Sequence, residues 1–583
     1  MDSWHPPQPS NTSNPHFDIK HYPQKDKSNL GHATVEFEEL WHHLAKLEAS
    51  CYGTFGSADE WQLAKWAMDM CLSVPCQLST RPGRGFHNSC SLFQSIDHLP
   101  CMPSWMCKMH TIKTHNPVAP MQEVMFWYHD PVSLVRELIG NPHFEDKLHY
   151  HPTKLYTRDH LCQQAYCDMN NFEWWWNTQV SWHLAILCIV APVILASDKT
   201  QLIHFTSGMA AYLMYLSIGN IPKSICHQTK EKAMMLLAYL PTDKLMGFGS
   251  PAACAHAEHH LFHMCMAEIL QPLIKAGTKG VKMTCADRYS HMVFPILGSY
   301  IADYPEQCLV MVCCHQHCPK CTVPSEEKGA LTEYPLCMQQ VTLELMHQLD
   351  ITSNTMAITS KKNVYHNTGI HPIDHPFWES LPYTNICACI TPNPLHELHK
   401  EVFKDHLFAW CLNLAGAEEV DAHFKRVPPH HGLKNSERGV SGLLQMTGTE
   451  HHHMQKTMAA LLVGLPGNVT SQTLHAMHAI LDFIYLSHLP MLTEANLQRM
   501  EHSLAEFHAH KEAFQVASSC KDFHHIPKLH KLQHYIAHMP SHSPCDNFNT
   551  ELPEHLHINL VKLGYHAGNK HDYIAHMTTW LER

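Results

Sequence analysis

Three short strings carry residues that could hold a metal ion. VILASD closes on Asp198, a carboxylate at the end of an apolar run, where it could grip a hard divalent cation of the kind phosphoryl-transfer sites use. From this residue alone, ordinary turn chemistry after a strand is the favoured reading of Asp198. ITPNPLHELH (390–399) has the look of a metal-binding strand end, but Asn393 stands where Asp would complete it, followed by Pro394. A third string, Cys318-Pro-Lys-Cys321, is a CxxC knuckle preceded by Cys313, Cys314, His315 and His317. Two thiolates so spaced can fill two corners of a tetrahedral zinc site, with His366, His371 or His375 available for the others. No thioredoxin-like frame surrounds the pair, so a redox role is disfavoured. Glu450-His-His-His453 and His259-His260 resemble ligand runs, yet the chain has 55 His and such runs arise by chance, so they read as solvated helix surface. Trp174-Trp175-Trp176 could stack on bases but reads first as core packing. No P-loop, GxSxG or dinucleotide fingerprint occurs.

The elements that must position these residues follow from pattern. With 583 residues, 45% hydrophobic and 16% charged, the chain can bury several cores. Residues 1–33 are Pro/Ser/Asn-rich and read as a disordered tail without a secretory signal. Residues 34–169 read as mainly helical, on the periodicity of 34–74 and a helix near 131–139. Residues 170–314 mix strands and helices: a buried strand over 184–196, a β-like stretch at 210–220, helices at 230–238 and 254–275, and two short strands around a turn in 289–314. Residues 315–380 form a Cys/His-bearing loop insertion, and 381–583 are chiefly helical, including 474–486 and 492–514. This is an α/β chain with large helical additions. The longest apolar run, LAILCIVAPVILA, is too short for a membrane span, so no membrane partner is expected. The 24 Cys read as reduced thiols of a nuclear or cytoplasmic, not secreted, protein.

A formal charge of −12 weighs against nucleic-acid binding. Only nine of the 41 basic residues are Arg. Low Arg with high His and Cys is what C-to-T decay of CG-initial Arg codons leaves, and the codons would decide this.

The strings WWWNTQ, ASDKTQL, AAYLMYLSIGNIPKSI, ADYPEQCLV, CPKC, HPFWESLPYTNI, ITPNPLHELH, FHHIPKLHKLQHY, DNFNTELPEHLHINL and HMTTWLER, in that order, resemble the Plavaka-type transposases of fungi, relatives of the Kyakuja–Dileera–Zisupton group. The resemblance implies a ribonuclease-H-like mixed-sheet core with a zinc-knuckle-like insertion. Its activity would be cutting and joining DNA strands at transposon ends, through three carboxylates and two Mg²⁺ or Mn²⁺ ions. A homo-oligomer is compatible with this, and Zn²⁺ would be structural. The first acid falls on Asp198, the second on position 393, and the third on Glu551 with Glu554 a close competitor. Asn393 then reads as a ligand that has lost its charge, and SICHQTKEK (224–232) lacks the Arg expected there. Two expectations follow: a transposase-derived protein with impaired catalysis, or a non-catalytic, zinc-stabilised DNA-binding or interaction remnant. Asp303 in ADYPEQ is the next acid in line if position 393 lies apart from Asp198.

Overall fold

The computed structural model describes residues 17–22, 30–35, 57, 60–62, 103–114, 120–159, 162–181, 188–202, 209–353 apart from 246, and 368–582 apart from 465–468, short stretches within 429–447, and positions 525, 543 and 569. Its strands, in chain order, are β1 (Phe17–His21), β2 (Met106–Lys113), β3 (Met121–Tyr128), β4 (Thr153–Thr157), β5 (Gln164–Tyr166), β6 (Cys188–Gln201), β7 (Ala210–Ile218), β8 (Met235–Leu240), β9 (Val281–Thr284), β10 (Ser290–Ile301) and β11 (Leu492–Thr493). The helices that bear on the site are α1 (Pro131–Gly140), α2 (Glu173–Ser181), α3 (Pro251–Lys279), α4 (Tyr304–Val310), α5 (Pro394–Phe408, wound in π geometry), α6 (Gly448–Leu462), α7 (Ser471–Ser487), α8 (Pro527–His538) and α9 (Glu551–His557).

The main sheet has seven strands in the order β2-β3-β8-β7-β6-β10-β9. β6, β7 and β8 form an antiparallel meander, and β10 lies parallel to β6 after the α3 crossover. Parallel neighbours need cover on both faces, and β6 shows it: its first ten residues are all buried. Alternation along the strand divides them. Ile189, Ala191, Val193 and Leu195 pack with α1 and α3, whereas Cys188, Val190, Ile194 and Ala196 pack with Trp175 of α2 and Leu556 of α9. Carried two residues on, the same alternation turns Asp198 toward α9 and Ser197 toward α4. A separate core holds the helical C-terminal part together, joining α5, α6, α7, α8 and the helix Glu494–His510.

Several elements differ from expectation. Residues 235–240 form strand β8 rather than the end of a helix; five of its six residues are buried, and an apolar run buried on both faces has no period to distinguish the two states. The stretch 289–314 is one twelve-residue strand followed by α4, not two short strands. β1 pairs with β4 inside the segment expected to be a tail. The helical reading of 34–74 lies outside the described residues apart from Thr34, Val35 and the positions near Glu60. Trp175 is fully buried, as the core reading of the Trp cluster holds. Among the described residues no helix is long and apolar enough to cross a membrane.

Candidate functional site: an acidic junction beside a Cys/His cluster

Asp198 follows the buried part of β6 and is still paired with Leu213 of β7. Next to it, where parallel β10 ends, Asp303 caps α4: its Oδ1 accepts from Glu306 N at 3.0 Å, with Pro305 in the first turn. Such a cap needs a short acceptor side chain and gains from negative charge at a helix N-terminus. Glu306 follows in the first turn, where Ser197 Oγ donates to it at 2.5 Å and the Tyr212 hydroxyl donates as well. Tyr300 OH in turn donates to Ser197 Oγ at 2.8 Å. From the opposite side α9 brings Glu554, whose Oε1 lies 2.9 Å from His396 Nε2, and His557, whose Nδ1 lies 3.6 Å from Asp198 Oδ2.

The electrostatics record the crowding. Burial first, then the charges of Glu554 and Asp303, push Asp198 up to about 6, with His396 pulling the other way. Burial pushes Glu306 up to about 7 against its two hydroxyl donors, with Asp303 and Asp198 adding to the rise. Carboxylates that destabilise one another's charge in this way are what a divalent cation would relieve. The donor set is all oxygen apart from flanking imidazoles, which suits a hard cation.

Asn393 lies at the same junction but faces it differently. It is fully buried. Its Nδ2 donates to Ala302 O at 3.3 Å, and its Oδ1 accepts from Thr550 Oγ1 at 3.1 Å and, more weakly, from His396 N at 3.4 Å as the cap of α5. Pro394 occupies the first turn of that helix, a position where its missing N–H costs nothing. Glu551 lines a neighbouring cleft with His555, Asp546 and Lys223, while its neighbour Glu554 bears on Asp198. The SICHQTKEK loop is tied to the same cleft wall: Lys223 Nζ reaches Asp546 Oδ2 at 2.8 Å and His227 Nε2 contacts Asp546 O at 2.9 Å.

The CPKC knuckle meets two histidines from α8. Cys321 Sγ lies 3.0 Å from His530 Nε2, Cys318 Sγ 3.4 Å from His534 Nε2, and the two imidazole Nε2 atoms 3.1 Å apart. Cys318, Cys321, His530 and His534 thus form a group able to hold a metal ion. The helix supplies its two ligands at i and i+4, one face of one turn. Lys320 N points at Cys318 Sγ from 3.4 Å, as backbone donors do in thiolate knuckles. Burial alone would raise Cys318, but contacts from Cys321, His530 and His534 take it well below its usual value. His375 is elsewhere, exposed and 3.0 Å from Glu379. His371 meets His259 edge to face, and His366 lies outside the described residues.

α8 also joins this cluster to the acidic junction. Lys531, one residue after His530, donates to Gln307 Oε1 at 2.5 Å and forms a buried ion pair with Glu397. Tyr535 OH donates to Glu397 Oε2 at 2.9 Å, and Asn393 N donates to the same oxygen at 3.3 Å. Gln307 Nε2 completes the link by donating to Ala302 O and Thr391 O.

The profile of the family described as Plavaka transposase matches residues 86–411, more than half of the chain and all of it through β10, α4, the knuckle and Asn393. The chain belongs to the Plavaka transposase family. It is a transposase-derived protein. No curated protein matches the chain. In this Plavaka member the match ends before α8, so His530 and His534 lie beyond it; α8 reaches the matched part through Lys531, Cys318 and Cys321.

Proposed function

We propose that this Plavaka protein is a DDE-type strand-transfer enzyme of DNA, with Asp198, Asp303 and Glu554 as its three carboxylates. The observation that carries the reading is the meeting of these acids, Asp198 on β6, Asp303 just past the end of parallel β10 and Glu554 on α9: with burial, the charges of Glu554 and Asp303 raise Asp198. The meander β6-β7-β8 with β10 parallel to β6 supports a ribonuclease-H-like core, and kinship with the Kyakuja–Dileera–Zisupton group belongs to the same reading. Divalent cations of the Mg²⁺ class, when bound, would activate the attacking oxygen and neutralise the leaving one. Asp198, Asp303 and Glu554 would supply the anionic oxygens. His396 orients Glu554, and Glu306, held by Ser197 and Tyr212, fixes the first turn of the helix that Asp303 caps. Asn393 acts as a structural clamp joining α5, Ala302 and Thr550. Zn²⁺ is the ion best suited to the Cys₂His₂ cluster, with a structural role, and transposon ends in the nucleus are the matching partner.

One set of contacts favours the competing reading, a non-catalytic remnant with its second ligand lost at Asn393. His396 already lies against Glu554, which favours its charged form, as a cation standing in place of a metal ion, while His557, held down to about 4 by burial, packs against Asp198 as a neutral imidazole. Nicking of supercoiled DNA in Mg²⁺ or Mn²⁺ separates the two. The enzyme reading expects nicking by the unaltered chain, lost by at least ~10²-fold in Asp198→Asn and Asp303→Asn, since removal of electrostatic stabilisation in such sites costs on that order. Silence of the unaltered chain together with nicking by Asn393→Asp would establish the remnant reading.

A further inference from the structure

We propose that His399, His452 and His488 form a second metal site, for a zinc-class divalent transition ion, with one coordination corner open to a cleft. One ring nitrogen from each lies within 4.8 Å of the other two. The three come from different helices of the C-terminal part: His399 from α5, His452 from α6, and His488 from the C-cap of α7. Their ring centroids are 4.2 Å (399–452), 4.7 Å (399–488) and 5.1 Å (452–488) apart.

Packing alone leaves a feature unexplained. His399 is fully buried, and its Nε2 has no hydrogen-bond partner; His488 Nε2 is buried and unpartnered too. A buried polar atom without a partner costs ~1–3 kcal/mol, and a shared cation would engage both at once. The other nitrogen of His399, Nδ1, lies 3.0 Å from the Gln455 side-chain amide, one turn along α6 from His452. The Gln455 oxygen is itself buried without a donor. Turning that amide over lets the oxygen accept Nδ1–H, which leaves the Nε2 lone pair directed away from Gln455. Ligating histidines are usually fixed by such a second bond on the far nitrogen.

The donor set selects the ion. Three neutral imidazoles offer nothing to Mg²⁺ or Ca²⁺, which take oxygen ligands, but suit Zn²⁺, Co²⁺, Ni²⁺ and Cu²⁺. Nitrogens around one zinc stand roughly 3.3 Å apart for Zn–N bonds of ~2.0–2.1 Å. Small rotations of the half-buried His452 and His488 close that difference. These two also line the cleft of about 360 Å³ that Glu551 and His555 share. A fourth position there would be open to water or to an anionic ligand, whereas the Cys/His cluster at α8 has four protein ligands and is closed. The reading does not depend on nuclease activity.

The test is zinc stoichiometry. Metal-stripped full-length protein is reconstituted with Zn²⁺ in millimolar Mg²⁺, which keeps the carboxylate site occupied, then freed of excess metal and measured by mass spectrometry. Two zinc per chain are expected for the unaltered protein and one for His452→Gln with His488→Gln. In Co²⁺-loaded protein the thiolate-to-cobalt absorption should stay in the double variant while the nitrogen-only visible bands disappear. A single zinc in the unaltered chain, with no second equivalent in a competition titration against a chelator, overturns the site whether or not the variant folds. An unchanged count of two in a folded variant overturns it as well.

Discussion

Replacing Lys531 by Met would test how tightly the Cys/His cluster and the acidic junction depend on each other. Lys531 and Glu397 have side chains 5% and 1% exposed, so removing the ammonium leaves a carboxylate in the interior without its counter-charge. Loss of one partner of such a pair costs about 3–5 kcal/mol. Two donors to Glu397 survive, from Tyr535 OH and Asn393 N, which places the expected cost at the lower end, about 3 kcal/mol. Gln307 also loses its Lys531 donor, but its contacts to Ala302 and Thr391 remain. The assay is urea unfolding of the zinc-loaded protein followed by tryptophan fluorescence, with Glu397→Gln and the double variant completing a mutant cycle. The double variant should recover most of the loss, because a neutral amide no longer needs the ammonium. A cost below about 1 kcal/mol for Lys531→Met, or a double variant as unstable as the sum of the singles, would refute the argument that the pair is buried and coupled.

Three further outcomes are expected. Chelating zinc, or changing His530 to Ala, should lower the melting temperature by several degrees and weaken nicking, since α8 carries both the ligands and the Lys531 and Tyr535 contacts; unchanged melting after verified metal loss would contradict this. Asn393→Asp should destabilise the protein by roughly 2 kcal/mol, because the donor to Ala302 O is lost and an unpaired buried charge is introduced beside Glu397, and thermal denaturation reads it directly. His263 is fully buried, with Nε2 facing Leu309 O at 3.0 Å and Nδ1 accepting from Phe377 N at 3.4 Å; burial, above all, holds it down to about 3. The unfolded chain therefore takes up this proton more readily, so stability from His263 is full above about pH 6.5 and falls as pH drops toward 3. At pH 5 the loss is about 2 kcal/mol, and His263→Leu should flatten that part of the stability–pH curve.

How much of this was legible from the chain differs by residue. β6 was readable because its apolar run ends in Ser-Asp, and alternation fixes which face Asp198 takes. The CPKC knuckle was readable as half of a metal cluster. Its other half was not: His530 and His534 are more than two hundred residues away, and an i,i+4 pair carries little weight in a chain with 55 His. Asp303 was in view only as a reserve, because the resemblance puts the second acid on position 393. The pattern Asp-Tyr-Pro-Glu, an N-cap with Pro in the first turn and Glu three residues on, marks the helix start that ends β10. Glu450-His-His-His453 was read as solvated surface, but His451 is 3% exposed and the half-buried His452 joins a group centred on buried His399. Nothing local distinguishes these from chance histidines; only the packing of α5, α6 and α7 does.

The central claim is that Asp303, not position 393, supplies the second carboxylate. Equilibrium titration with Mn²⁺, followed by electron paramagnetic resonance of the free ion, measures this without requiring turnover or a DNA target. Asp303→Asn is expected to bind Mn²⁺ at least ~10-fold more weakly than the unaltered chain, a difference of about 1.4 kcal/mol, and Asn393→Asp to bind it no more tightly. Unchanged binding by Asp303→Asn, together with a gain in Asn393→Asp, would contradict it.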